Sequence, residues 1–135
     1  MITNFLIINF IGKDDKLGLK INKDFFIHIF DTKNKINKNL VPEILDFLDK
    51  HKAKLNENFS VIVNQGPGSF SGIRIALSVA KGLEISKKVK LFGFRNTDLK
   101  QFDQENIEKL LDKKLYYLRF LHYVFFYDTA LYFFY

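Results

Sequence analysis

The chain has 135 residues, a formal net charge of +6 and no cysteine. This length suits one ordinary domain, and the 47% of apolar residues can build a core, which excludes a disordered chain. The lack of cysteine excludes a disulfide scaffold, a thiol nucleophile and Cys-ligated metal sites. With no recognisable export signal, we expect a cytoplasmic protein.

The positive charge comes from 18 lysines and only three arginines. A basic chain can bind nucleic acid through its phosphates. The simpler interpretation is lysine scattered by an AT-rich coding sequence, because asparagine, isoleucine, phenylalanine and tyrosine are also abundant. No uncharged apolar stretch is long enough for a spanning helix, so no membrane span is predicted.

The first part of the chain predicts strands. Segments 2–11, 17–22 and 25–30 are apolar or alternate between apolar and polar residues, and short polar turns separate them. This pattern is typical of an antiparallel meander of three strands. A helix is predicted over 39–55, where Asn39 can cap the first turn and an apolar stripe recurs at helical spacing.

The remaining elements alternate between strand and helix. Strands are predicted at 59–63 and 88–94, and helices at 70–85, from about 96 to 102 and at 106–114. The order βββαβαβ followed by helices predicts an α/β fold with a mixed five-stranded sheet and helices packed on it.

A glycine-rich turn precedes the helix at 70–85, within the run QGPGSFSGIRIALSVAKG at 65–82. Gly66, Gly68 and Gly72 match neither the dinucleotide-binding spacing nor a P-loop, and Pro67 removes one backbone N–H. An alternative function for this turn is to bind a phosphate through the free backbone N–H groups at the start of the helix.

The helix itself is apolar on more than one side. Gly72, Ala76 and Ala80 recur every four residues, so they form a strip that lets another backbone approach closely. Apolar residues flank the strip on both sides, and such a helix needs more than one cover. Two candidates for the second cover remain: another helix of the same chain, and a second protein.

The motif GPGSFSGIRIAL at 66–77, with AKGL at 80–83, resembles the GPGSFTGLRIG…AKGL motif of the TsaB (YeaZ) family. Segments 40–45 and 89–95 resemble the family's LLP and PLVGVSS segments. The resemblance implies the family's first lobe, an actin/Hsp70-like (RNase H-like) unit, over residues 1–103. Residues 104–135 would then be a tail that is a remnant of the second lobe or a replacement for it.

The resemblance also implies a function and a set of contact residues. Proteins of this family are non-catalytic subunits of the complex that makes N6-threonylcarbamoyladenosine in tRNA. They bind the catalytic paralogue TsaD beside the ATPase TsaE; ATP and a metal belong to those enzymes, and tRNA is met only indirectly. The contacts implied for the helices at 39–55 and 70–85, through which a homodimer is also possible, are Leu40, Val41, Ile44, Leu48, Phe70, Gly72, Ile73, Ala76, Leu77 and Ala80. The matching residues of the motif turn and helix start are Gly66, Pro67, Gly68, Ser69 and Arg74.

The sequence departs from the family at Asn9, where the family has an aspartate that lies near metal and phosphate in the actin/Hsp70 group. His28, His51 and His122 are far apart and lack ligand spacing, so we expect no metal site, no cofactor and no catalytic residue in this chain.

Three alternatives remain open. The 66–72 turn could serve a small phosphate- or nucleotide-binding enzyme, and the lysines could bind RNA directly. The stretch 115–135 holds 11 of the 22 Phe and Tyr residues. It could pack on the lobe or on a partner, form strands, or adsorb to a membrane surface.

Overall fold

The computed structural model describes residues 2–12, 14–30, 40–113 and 115–118. Its strands are β1 (Asn4–Asn9), β2 (Lys16–Ile21), β3 (Asp24–Ile29), β4 (Phe59–Asn64), β5 (Lys90–Phe94) and β6 (Tyr116–Tyr117). Its helices are α1 (Leu40–Lys50), α2 (Phe70–Lys87) and α3 (Gln104–Lys113), with one 3₁₀ turn at Asn96–Asp98. Residues 119–135, most of the aromatic tail, lie outside the described residues.

The described strands form one mixed sheet in the order β3-β2-β1-β4-β5-β6. The first three strands are antiparallel neighbours, as predicted for a meander. Strands β1, β4 and β5 run parallel, and β6 lies beside β5 as the antiparallel edge strand. The predicted mixed α/β fold is therefore confirmed, with the two-residue β6 added to the five expected strands.

Successive side chains of the central strands point to opposite faces of the sheet, so the core has two parts, one under each layer of helices. Leu6 and Ile8 of β1 lie in the cluster that contains the buried residues of α1 and α2. Phe5 and Ile7 lie in the second cluster, with Ile107 of α3. Because β1 is covered on both faces, it is apolar throughout rather than alternating. The predicted division at residue 103 remains a prediction, although α3 packs directly against the sheet.

Helix ends differ from the predicted ones because of local backbone geometry. Helix α1 ends at Lys50 rather than at 55, since Lys52 takes a φ of 55° and the Ala53 N–H donates to the Leu48 carbonyl at 3.0 Å. The predicted helix up to residue 102 is wrong: only the 3₁₀ turn forms, and Leu99 is already extended. Helix α3 starts two residues early, where Asp103 Oδ1 accepts the Asn106 N–H at 2.8 Å.

Candidate functional site

The motif turn, residues 66–69, joins β4 to α2, and most of its described backbone donors already have partners. Gly66 N–H donates to Asn64 Oδ1 at 2.8 Å, and Ser69 N–H donates to the Ile11 carbonyl at 2.9 Å. Ser69 is also the N-cap of α2, accepting the Gly72 N–H at 3.3 Å. These bonds occupy the N–H groups of Gly66, Ser69 and Gly72, which weakens the phosphate-binding alternative.

The glycines of the motif allow close packing against the segment that follows β1. A Cβ atom on Gly68 would lie 2.8 Å from the Ile11 Cβ, and one on Gly72 would lie 2.5 Å from the Phe10 carbonyl oxygen. Gly66 is buried with a φ of 94°, a backbone conformation that glycine adopts readily. Pro67 and Arg74 are exposed. The motif thus fixes the start of α2 on the sheet.

Three asparagines form a buried network where β1, β4 and β5 end. Asn64 Nδ2 donates to Asn9 Oδ1 at 2.6 Å and, with a longer distance of 3.4 Å, to Asn96 Oδ1. Asn64 and Asn9 are 1% and 8% exposed. Asn9 stood out in the sequence because it departs from the family pattern. No sequence pattern predicted that Asn64, at the end of β4, and Asn96, after β5, would join it in one network.

This network does not fit the metal and phosphate chemistry of the actin/Hsp70 group. The Asn9 amide brings no negative charge to a cation, and within the described segments no three His, Asp or Glu side chains lie together as metal ligands. A cleft of about 470 Å³ adjoins the network. Its walls carry Lys16 and Lys100 but also Asp14 and Asp103, so its charge favours neither an anion nor a cation.

The ten residues predicted to contact a partner divide into two groups. Six lie in the core of this chain, none more than 9% exposed: Ile44, Leu48, Ile73, Ala76, Leu77 and Ala80. The other four, Leu40, Val41, Phe70 and Gly72, are at least partly accessible. These six are thus already packed within this chain, and a partner contact at their positions stays a prediction.

The small-residue strip of α2 faces its own chain. Ala76 and Ala80 are fully buried, and Gly72 sits against the Phe10 carbonyl, so the backbone that approaches is that of β1. Ile75 and Val79 belong to the same apolar cluster as the buried residues of α1. Residues of the same chain therefore supply part of the second cover that the apolar pattern requires.

Helices α1 and α2 still expose large apolar side chains, which we call the outer helix face: Val41 (43%), Leu45 (46%), Phe70 (53%) and Ile85 (71%). Along α2, Ser71, Ile75, Ser78, Gly82 and Ile85 follow a 4-3-4-3 spacing that puts them on one side. All are exposed except the half-buried Ile75. Leu45 and Ile85 are missing from the predicted partner contacts, because a helical period cannot tell which of two apolar stripes meets the sheet.

A groove of about 520 Å³ between β3 and α1 brings together two histidines that are 23 positions apart in sequence. His28 Nε2 lies 2.8 Å from Glu43 Oε2, and His51 stacks on Phe26 with ring centroids 3.8 Å apart. Both histidine rings contact Phe47. These contacts attach α1 to the edge strand.

No helix in the described residues has both the length and the apolar character needed to cross a membrane. A family model described as "TsaD: tRNA N6-adenosine threonylcarbamoyltransferase" matches residues 31–99, just over half of the chain.

Two relatives of known name are each called "tRNA threonylcarbamoyladenosine biosynthesis protein TsaB". The one from Buchnera aphidicola subsp. Baizongia pistaciae (strain Bp) is 48% identical over 46 residues, which are 34% of this chain and 21% of the relative. The one from Buchnera aphidicola subsp. Acyrthosiphon pisum (strain APS) is 33% identical over 81 residues, which are 58% of this chain and 37% of the relative. The chain therefore spans well under half the length of these relatives.

The structure is also similar to YeaZ from Pseudomonas aeruginosa, with a TM-score of 0.61 and 21% sequence identity. This match covers 71% of the present chain and 45% of YeaZ. At this identity the likeness concerns the fold, which is that of a single actin/RNase H-like lobe.

Proposed function

Because the chain belongs to the TsaB (YeaZ) family, we propose that it takes part in the biosynthesis of threonylcarbamoyladenosine in tRNA. Its role is that of a non-catalytic subunit that docks a TsaD-like catalytic partner. The TsaE-like ATPase joins the same complex, and ATP and a metal act in the partner enzymes. The observation that carries this proposal is the outer helix face.

The outer helix face has the chemistry of a surface that binds helices. Val41 and Leu45 lie one turn apart on α1, and Ile85 is the most exposed large apolar side chain among the described residues. Single exposed apolar residues are common on monomers, whereas several on two helices of one layer favour an interaction site. Aliphatic side chains of this kind fill the buried centre of protein interfaces.

Small residues in the outer stripe of α2 would let a partner helix come close. A Cβ atom added to Gly82 would meet nothing within 4 Å, and Ser71 and Ser78 are exposed. The distance between packed helix axes depends on the side chains at the contact, so small residues between Ile75 and Ile85 favour a near approach. This geometry supports a helix bundle with the partner, or with a second copy of the chain.

Copurification with a TsaD homologue of the same source tests the docking surface. The double variant Leu45→Glu with Ile85→Glu places two carboxylates in the proposed interface, and we expect the complex to weaken at least about tenfold, since a buried unpaired charge costs several kcal/mol. Ile27→Glu with Ile29→Glu is the matched control, because both residues are exposed, at 42% and 61%, and alternate with Phe26 and His28, which contact α1 and His51 just after it.

The control variant should bind like the unchanged chain, and circular dichroism should show that both variants fold. A complex that survives the double variant would mean that the outer helix face is not the docking surface. Charged substitutions at Ala76 or Ala80 are unsuitable here, because both residues are fully buried and their replacement tests folding.

A further inference from the structure

The topology brings three connecting segments to one edge of the sheet. Strands β1, β4 and β5 are parallel, so the loops that enter β4 and β5 lie side by side at what we call the amino edge. The turn between β2 and β3 reaches the same edge, since the Asn22 N–H donates to Asn4 Oδ1 at 2.8 Å beside the start of β1. Adjacent strands are about 4.8 Å apart, so these segments span about 15 Å.

Lysine dominates this edge. We define the lysine rim as residues 22–24, 49–58 and 87–90, which contain seven exposed lysines and three carboxylates. The lysines are Lys23, Lys50, Lys52, Lys54, Lys87, Lys88 and Lys90. Within the part of the chain that the structure describes, the salt bridges use Lys20, His28, Lys81 and Lys109 and none of these seven. The rim therefore carries a net charge of +4.

The loops that the structure describes at the opposite edge of the sheet show no such excess. These loops, residues 10–12, 14–16, 65–69 and 95–103, hold three cations and four carboxylates. The described loops at the two edges thus differ in charge.

Two of the rim lysines occupy backbone positions that favour other residues. Lys52 and Lys88 follow the ends of α1 and α2 with φ values of 55° and 60°. This left-handed position after a helix is normally glycine or asparagine. Asparagine codons are as rich in A and U as lysine codons, the chain has 11 asparagines, and Asn22 adopts a φ of 57° in the β2–β3 turn.

The helix dipoles explain only part of this arrangement. A cation near the last turn of a helix is stabilising, which suits Lys50, Lys87 and Lys88. Lys23 and Lys54 lie in a turn and a loop, and Lys90 is the first residue of β5. The helix dipole does not account for these three lysines.

We propose that the lysine rim binds the phosphate backbone of RNA directly. Lysine ammonium groups spread over about 15 Å can contact several phosphates of one strand, and such binding is independent of base sequence. No large apolar side chain is exposed within the three rim segments, whereas adsorption to a membrane usually adds apolar insertion to charge. The rim lies at the edge of the sheet and does not use the outer helix face, so this proposal stands apart from partner docking.

The test is a fluorescence anisotropy titration of a labelled tRNA transcript with the full chain alone, at 50 to 300 mM salt. Binding should weaken steeply with salt. The double variant Lys52→Asn with Lys88→Asn should bind about tenfold more weakly at 50 mM, and the slope of log affinity against log salt should fall by about 2. Because asparagine suits the left-handed backbone, its melting temperature should not fall.

The matched control is Lys100→Gln with Lys109→Gln, which removes the same charge from exposed positions outside the rim. It should keep its affinity within about twofold. A second rim variant, Lys54→Gln with Lys90→Gln, should weaken binding as the first does and needs no change at a left-handed residue. Equal losses in rim and control variants, a flat salt response, or binding to phosphatidylglycerol vesicles without binding to tRNA would each overturn the proposal.

Discussion

The same substitution at two glycines of α2 should have opposite effects on stability. In Gly72→Ala, the new Cβ would lie 2.5 Å from the Phe10 carbonyl oxygen, and reaching even 3.0 Å requires a shift of about 0.5 Å. The obstacle is a backbone atom of the buried Phe10, which directly follows β1, so it cannot rotate away. In Gly82→Ala, the new Cβ meets nothing within 4 Å.

The magnitudes follow from two opposing terms. Alanine in place of glycine inside a helix gains about 0.5–1 kcal/mol from helix propensity. Overpacking against a fixed neighbour costs about 1–3 kcal/mol. We therefore expect Gly72→Ala to lose about 1–2 kcal/mol and Gly82→Ala to gain about 0.5–1 kcal/mol.

Urea denaturation of the two variants and the unchanged chain measures both values, with melting temperature as a second readout. For a chain of this size, 1 kcal/mol corresponds to roughly 3–5 °C. The gap between the variants should therefore be about 1.5–3 kcal/mol. If Gly72→Ala proved as stable as Gly82→Ala, the close approach of α2 to the end of β1 would not explain the glycine in the motif.

Two further predictions concern the asparagine network and the face of α3. Asn64→Ala should destabilise the fold by about 2–4 kcal/mol in urea, because it leaves a buried donor and a buried acceptor without partners. The exposed Asn58→Ala should change stability by less than about 0.5 kcal/mol, and similar losses in both variants would contradict this reasoning. A hydrogen bond from the Lys20 ammonium holds the pKa of Glu108 below its usual value of 4.5. The ion pair therefore stabilises the fold at pH values above 4.5, and this stabilisation is lost as the pH falls through the lowered pKa of the folded state. Lys20→Gln should therefore melt below the unchanged chain at pH 7 and together with it at pH 3; a gap that persisted at pH 3 would point to lost packing of the lysine stem.

The sequence determined the order of elements because each periodicity is a local property. Alternation in the β2 segment and the unbroken apolar run of β1 predict strands, and the short turns between them predict antiparallel neighbours. The GPGSF motif marked the turn before α2, and its resemblance to one family led to the fold. Ends were less certain, since a single residue such as Lys52 in a left-handed conformation stops a helix early.

Only the tertiary structure decided which surfaces are free. Periodicity placed Ala76 on an apolar face of α2, but the packing of α2 on β1 and β4 decides that this face is internal and that Ile85 is external. The asparagines at positions 9, 64 and 96 meet because parallel strands end at one edge. The lysines of the rim converge at the other edge for the same reason. Contacts between residues distant in sequence depend on strand order and direction, which no local pattern encodes.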